Sequence, residues 1–161
     1  MKVNWKQVLV SIVGISALFL IFFYAQLNRG IRPFQKAKSE TIALAQQKSD
    51  LEKPENFYWF NGEETYFTVT GTDKNKNELI VIVKQKGGDM VILDSKDTIS
   101  RKEAVQLTID KVQPKKILEA RIGIIDETPI WEVSFLNNKG QLGYNVLQLE
   151  DGQWLHTLEN I

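Results

Sequence analysis

One histidine and two pairs of adjacent carboxylates are the residues of this chain whose types could support acid–base chemistry. His156 falls in the last predicted strand, where no nucleophile or orienting partner is evident from the sequence. The carboxylate pairs, Glu63-Glu64 and Asp126-Glu127, both fall in predicted turns. Because adjacent residues of a strand point to opposite faces, neither pair is well spaced to act as an acid and a base. We therefore predict no catalytic residue, and we interpret His156 as an ordinary strand residue.

The chain also lacks the sequence motifs that hold common cofactors and metals. It contains no cysteine, which excludes disulfides, thiol chemistry and cysteine zinc sites. Gly87-Gly88 follows a predicted strand but has neither a G-K-S/T nor a G-x-G-x-x-G context, so it predicts no phosphate-binding loop. No EF-hand loop is present. We predict no cofactor and no metal site.

The aromatic run Phe57-Tyr58-Trp59-Phe60 is the strongest candidate for a binding surface. In a strand, Phe57 and Trp59 face one way, and Tyr58 and Phe60 face the other. One pair is expected in the core, and the second is either covered by another part of the domain or exposed at an interface. Exposed Tyr and Trp are frequent among the residues that dominate binding energy at protein interfaces. The four residues are therefore interface candidates.

An uncharged N-terminal segment must position the rest of the chain. Residues 7–28 contain no charged side chain, and about 20 apolar residues in a helix span the roughly 30 Å hydrocarbon core of a bilayer. The apolar run is longer than that of a signal peptide and ends in bulky residues, which favours an uncleaved membrane anchor. Within it, Ser11, Gly14 and Ala17 recur at near-helical spacing and are candidates for packing against a partner's membrane span.

The charges around this segment do not decide its orientation in the bilayer. Lysines precede it within residues 1–6, and Lys and Arg residues also follow it within residues 29–38, so the positive-inside rule does not discriminate. A short N-terminal tail with one early span is the usual arrangement of a signal anchor. That arrangement places residues 1–6 in the cytoplasm and the C-terminal part outside.

Residues 33–161 are mildly acidic. All 20 acidic residues of the chain lie there together with 16 of its 20 basic residues, which gives this part a net charge of −4. A nucleic-acid partner would require a basic face, so we predict none. The length fits one ordinary domain or two very small ones.

Two copies of one helix-plus-strands pattern account for residues 33–161. In the first copy a helix is predicted from its first turn at Pro33 to about Leu51, followed by strands at 57–60, 64–71, 78–85 and 90–93. In the second copy Ser100 and Glu103 form a capping-box signature for a helix that ends near Val112. Strands are then predicted at 117–125, 130–135, 143–149 and 154–158.

The two copies align without a gap from 66–92 onto 130–156, with only two identical residues. The predicted fold is therefore α+β, with an N-terminal transmembrane helix at 7–28 and two helix-plus-antiparallel-sheet units at 33–95 and 99–161. Units of about 60 residues are marginal alone, so the halves could also pack against each other. The residues expected to help fill the cores are Phe67, Met90, Trp131 and Trp154. The residues expected on one face of the second helix are Val105, Ile109 and Val112.

This combination of features resembles the YpmB-like, or TseB-like, family of Gram-positive bacteria. The helix opening SRKEAVQLTIDK at 100–111 and the segment IWEVSFLNNKGQLGYNVLQLEDGQW at 130–154 resemble a PepSY-type repeat. The resemblance implies a cystatin-like fold for both units, a helix wrapped by an antiparallel sheet. It also implies a single-pass protein of the cell membrane, with a cytoplasmic N-terminus and an extracellular C-terminal domain.

The same resemblance implies a function without an active site. It suggests a non-enzymatic regulator of cell-wall elongation that binds a penicillin-binding transpeptidase, or another wall-synthesis membrane protein, next to the bilayer. The alternative is an extracytoplasmic PepSY-type binding module for a protease, a wall polymer or a small ligand. Protease inhibition does not follow from a cystatin-like shape, and no Q-x-V-x-G inhibitor loop is present. A wall hydrolase is a third class, which no catalytic constellation supports.

Overall fold

The computed structural model describes residues 5–159. Within the first helix, the side chains at positions 7, 8, 11, 25 and 27–29 are outside the described part. The predicted cytoplasmic tail at 1–6 therefore lies mostly outside the described residues, as does the side chain of Ser11. Two compact units divide the chain, the first ending at Ser39 and the second beginning at Glu40.

Helix α1 extends from Trp5 to Lys48 with Pro33 inside it. The helix start predicted at Pro33 is therefore wrong: proline removes one backbone hydrogen bond, and helix-forming sequence on both sides offsets that loss. Large apolar side chains along residues 9–24 are exposed to 54% or more. In the described part of the chain, no helix combines the length and the mean hydropathy that are expected of a membrane span. The span at 7–28 stays a prediction.

Two four-stranded antiparallel sheets follow, and all eight predicted strands are present. The first sheet has the order β1-β2-β3-β4, with β1 at Lys53–Asn61, β2 at Thr65–Thr72, β3 at Glu78–Lys84 and β4 at Met90–Asp94. A 3-10 turn at Ser95–Asp97 and helix α2 at Arg101–Val112 lead to the second sheet. Its order is β5-β6-β7-β8, with β5 at Lys116–Ile125, β6 at Thr128–Leu136, β7 at Leu142–Gln148 and β8 at Trp154–Glu159. The predicted α+β class with two antiparallel sheets is confirmed.

The end of α1 packs on one face of the first sheet. Its buried residues Thr41 and Ala45 are one helical turn apart, and their small side chains allow the helix axis to lie close to the strands. The core beneath them is formed by Leu51 and three valines of β2 and β3, Val69, Val81 and Val83.

Helix α2 covers one face of the second sheet through Ala104 and Thr108, again two small residues one turn apart. Of the three residues expected on one face of this helix, Val105 packs against the core, whereas Ile109 is 38% exposed. Thr108 belongs to a buried chain of hydrogen bonds that joins α2 to β7 and β8. The Asn145 amide donates to Thr108 Oγ1 at 2.9 Å, and the Thr157 hydroxyl donates to Asn145 Oδ1 at 2.7 Å.

Trp154 is the predicted core aromatic that the structure places elsewhere. It is 46% exposed, its indole N–H donates to Thr157 Oγ1 at 2.9 Å, and Lys111 Nζ lies 4.4 Å from the ring centroid. The other three expected core residues are buried or half-buried, with Phe67 at 8% and Trp131 at 3% exposure. On the outer strand of the sheet, the Trp154 indole is thus partly exposed to water, and the Lys111 cation lies over the face of its ring.

The two sheets share one hydrophobic core within the second compact unit. Ile80 and Ile82 of the first sheet belong to the same buried cluster as Ile122, Trp131 and residues of α2. The fully buried Thr68 hydroxyl donates to the backbone oxygen of Ile122 at 3.1 Å. Because β5 is an edge strand of the second sheet, this bond provides a donor for a carbonyl that has no partner strand on that side.

Candidate interaction site

Strand β1 carries the predicted aromatic run and divides it between its two faces, as alternation requires. Phe60 is 1% exposed and packs in a buried cluster with Ile130 and Val146 of the second sheet, so it is a core residue and not a surface one. Tyr58 is half-buried on the same face, while Phe57 and Trp59 are half-buried on the opposite face. The four predicted interface residues therefore do not form one surface.

Phe57 and Trp59 form an aromatic cluster with Phe67 of the paired strand β2. The ring centroids of Phe57 and Phe67 are 6.0 Å apart in a stacked arrangement, and those of Trp59 and Phe67 are 5.0 Å apart edge to face. The indole N–H of Trp59 donates to Asn61 Oδ1 at 2.9 Å. Rings fixed in this way lose little conformational entropy when a partner covers them, which suits a binding surface.

Tyr58 lines a cleft between the two sheets. Its ring lies edge-on against Trp131, with 5.6 Å between centroids, and the Trp131 indole N–H donates to the backbone oxygen of Ile99 at 3.0 Å. Burial raises the pKa of the Tyr58 hydroxyl, and the nearby Arg101 guanidinium opposes that shift. The cleft of about 160 Å³ combines this hydroxyl and guanidinium with aromatic walls. It is smaller than the roughly 300–1,000 Å³ of a typical small-molecule site.

Two of the amide groups at the start of α2, beside this cleft, pair within the chain. The Glu103 N–H donates to Ser100 Oγ at 3.3 Å, and the Ser100 N–H donates to Glu103 Oε2 at 2.7 Å. This reciprocal capping box confirms the predicted N-terminus of the helix. The Glu103 carboxylate occupies the position that an external anion would take.

The carboxylates and the histidine considered for acid–base chemistry do not converge. Glu64 pairs with Lys84, and the hydrogen bond from that lysine lowers the pKa of the carboxyl. Asp126 and Glu127 have positive φ angles of 47° and 64°, as the two central residues of the tight β5–β6 turn. His156 is half-buried in the outer strand β8. Among residues 5–159, no three His, Asp or Glu side chains gather as a metal site would require.

Comparison with known proteins gives a consistent result. Residues 40–84 match the sequence model of the family described as "Cell wall elongation regulator TseB-like domain". The chain is 26% identical over 149 residues to the "Probable cell wall elongation regulator TseB" of Bacillus subtilis (strain 168), covering 91% of this chain and 92% of that protein. The solved structure of the YpmB protein from Bacillus subtilis superposes with a TM-score of 0.69, at 25% identity, over 76% of this chain and 96% of that one. Over most of its length this chain is therefore similar to proteins of the YpmB/TseB-like family.

The match to the TseB-like family spans the end of α1 and strands β1 to β3. It therefore includes all three rings of the aromatic cluster. A second relative, the "Ribosome quality control complex subunit NEMF homolog" of Drosophila melanogaster, is 30% identical over 117 residues. That match covers 69% of this chain and 12% of the relative.

Sequence reasoning missed one pair of half-buried charged residues on the second sheet. Arg121 and Glu132 face each other across β5 and β6, with 3.6 Å between Arg121 Nε and Glu132 Oε1. Burial raises the pKa of Glu132, and Arg121 opposes that shift. Arg121 Nε is buried without a hydrogen-bond acceptor among the described residues. No local pattern marks such a pair, because its members are adjacent only through strand register.

Proposed function

We propose that this chain is a non-enzymatic, membrane-anchored extracellular regulator of cell-wall elongation that acts by binding a penicillin-binding transpeptidase. The observation that carries this proposal is the match to the Bacillus subtilis protein named probable cell wall elongation regulator, which extends over 91% of the chain. The half-buried rings of Phe57 and Trp59 supply the contact surface, and the buried Phe67 supports them. A membrane anchor confines both proteins to one plane, so a weak contact suffices for association.

Photo-crosslinking in living cells tests this partner. A benzoylphenylalanine placed at Trp59 should form a covalent product that mass spectrometry identifies as a transpeptidase. The matched control carries the same probe at Lys139, an exposed position in the β6–β7 turn of the other sheet. Capture of a transpeptidase from both positions alike, or from neither, would contradict a contact at the aromatic cluster.

The N-terminal segment serves as the anchor. Residues 7–28 carry no charge, and the large apolar side chains described between residues 9 and 24 are all exposed, which is the pattern of a segment surrounded by lipid or by protein. The absence of cysteine allows a direct test of orientation with single-cysteine variants. A membrane-impermeant maleimide should label Lys74→Cys in intact cells and Lys6→Cys only after permeabilisation. The reverse pattern would place the domain inside the cell.

One face of this segment also contacts the partner's own membrane span. Small side chains at Ser11, Gly14 and Ala17 allow close helix approach, and a Cβ atom added at Gly14 meets nothing within 4 Å. Gly14→Ile should therefore weaken co-purification of the transpeptidase in mild detergent without changing the amount of protein in the membrane. Val13→Leu, at the neighbouring position, is the control and should leave co-purification unchanged.

A second candidate function is supported by the cleft beside Tyr58 and Arg101. An extracytoplasmic module could hold a small polar group of a wall polymer or of another ligand there. Sedimentation with purified wall, together with a protease inhibition assay, separates this function from transpeptidase binding. Binding to wall that is lost in Tyr58→Phe and Arg101→Gln would favour it, whereas unchanged binding in both variants would exclude the cleft.

A further inference from the structure

The outer edge of the first sheet borders a groove that the proposed function does not use. Strand β4 is the last strand of its sheet and pairs only with β3. Three consecutive residues of it, Ile92, Leu93 and Asp94, line a groove of about 460 Å³. Consecutive residues of a strand point to opposite faces, so a cavity that all three line lies along the strand's edge.

This groove has an apolar floor. Ile92 is 46% exposed, and the half-buried Pro129 of the second sheet faces it, with the buried Leu149 behind. The backbone of that wall is already paired, since the Leu149 N–H donates to the Pro129 oxygen at 2.9 Å and the Ile99 N–H donates to the Leu149 oxygen at 2.8 Å. The hydrogen-bonding groups available to a ligand therefore belong to the outward-facing side of β4.

The rim of the groove is acidic. Asp94, Asp97 and Glu150 line it, and Asp94 alone among them forms an ion pair within residues 5–159, with Lys96 Nζ at 2.8 Å. The rim thus keeps a net negative charge, in a part of the chain that is itself acidic. Like charges at this rim disfavour a second copy of the same edge, because the three carboxylates of each copy would meet.

We infer that the groove along β4 binds an extended segment of a partner protein in which apolar side chains alternate with Lys or Arg. The segment adds a strand to the sheet through main-chain hydrogen bonds, its apolar side chains contact Ile92 and Pro129, and its cations lie at the carboxylates of the rim. Five residues of β4 accommodate a strand of ordinary length. This site shares no residue with the aromatic cluster and is independent of a role in wall elongation.

Two synthetic peptides test the groove on the full-length protein in detergent micelles. One alternates Lys and Val over eight residues, and the other alternates Glu and Val over the same length. Fluorescence anisotropy should show tighter binding of the Lys peptide. N-methylation of alternate amides on one edge should abolish that binding, because it removes the donors that pair with β4. Equal affinity for the Lys and Glu peptides would overturn the proposal.

Matched variants assign the binding to this edge. Asp97→Asn with Glu150→Gln should weaken the Lys peptide about three- to tenfold, the effect expected of two exposed ion pairs. Asp50→Asn with Glu52→Gln removes equal charge from another exposed surface and should change little. Ile92→Lys should abolish binding, and His156→Lys, at a half-buried position of the outer strand of the other sheet, should not. An Ile92→Lys variant that still binds, or a concentration-dependent dimer that this substitution dissolves, would refute the assigned occupant.

Discussion

Gly123 lies directly beneath the ring of Phe60, where β5 meets the first sheet. A Cβ atom at position 123 would be 2.2 Å from Phe60 Cγ, inside any tolerable contact distance. We therefore expect Gly123→Ala to lower the free energy of unfolding by about 1–3 kcal/mol through overpacking. Urea denaturation followed by circular dichroism measures the change.

A second substitution separates this clash from other effects of alanine. Phe60→Ala, which removes Cγ and the whole ring, destabilises alone because it leaves a cavity. In the double variant it should relieve the overlap. The sum of the losses of the two single variants should then exceed the loss measured for the double variant by about 0.5–3 kcal/mol. Additive losses would show that the Phe60 ring is not the cause.

Thr68 supplies the second contact of residue scale between the sheets. Replacing its buried hydroxyl in Thr68→Val leaves the Ile122 carbonyl without a donor, at an expected cost of about 1–3 kcal/mol. Thr70 lies two residues along the same strand face, and its hydroxyl only accepts from the exposed Asn56 amide at 3.1 Å. Thr70→Val should therefore change stability by less than about 0.5 kcal/mol. Similar losses in the two valine variants would contradict the assigned role of Thr68.

At the scale of elements, strand register corrects the predicted repeat. The offset of 64 holds from Tyr66 to Met90, and a bulge in the β7–β8 pairing changes it after Trp154. In the first hairpin of each copy, Phe60 stands opposite Tyr66 and Gly123 stands opposite Ile130. Equivalent positions in the earlier part of each copy therefore differ by 63, because the second hairpin is one residue longer. The aromatic run 57–60 corresponds to 120–123 in the second copy, which is Ala-Arg-Ile-Gly. The aromatic cluster is thus a property of the first copy alone.

The capping box of α2 makes its stability depend on pH. Hydrogen bonds from the Ser100 backbone and side chain lower the pKa of Glu103. A carboxylate with a lowered folded-state pKa contributes stability that is present above its unfolded pKa of about 4.3 and is lost as the pH falls through the folded value. We expect the Tm difference between the native protein and Glu103→Gln to be full at neutral pH and to shrink below pH of about 4. A difference that does not change with pH would show that the charge is irrelevant.

At the scale of the whole second unit, the shared core predicts one unfolding event. Ile80 and Ile82 from the first sheet and Ile122 and Trp131 from the second are buried in one cluster, so neither sheet keeps its core without the other. Native-state hydrogen exchange should give β3 and β7 the same maximal free energy of opening. Thr68→Val should lower both by the same amount. A loss confined to β3 would mean that the two halves unfold separately.

The sequence alone determined the elements of this protein. Alternating, aromatic or apolar runs between turn signals located all eight strands, and the Ser100–Glu103 spacing located the start of α2, because such signals depend on residues within one turn or one hairpin. Local signals were insufficient where packing outweighed them. Pro33 lies inside α1, and Ala104 and Thr108 rather than Ile109 face the sheet, since small residues allow the closer approach of helix to strands.

The tertiary structure alone decided how the aromatic strand is used. From the sequence, Phe57, Tyr58, Trp59 and Phe60 were one run with two faces, and their alternation was correct. Which face is covered depends on where β5 lies, and that position is set by Gly123 and Thr68, more than 50 residues apart in the chain. Contacts between distant segments leave no periodic signal in either segment. The structure therefore assigned Phe60 to the core, Tyr58 to a cleft, and Phe57 with Trp59 to the surface that we propose for a partner.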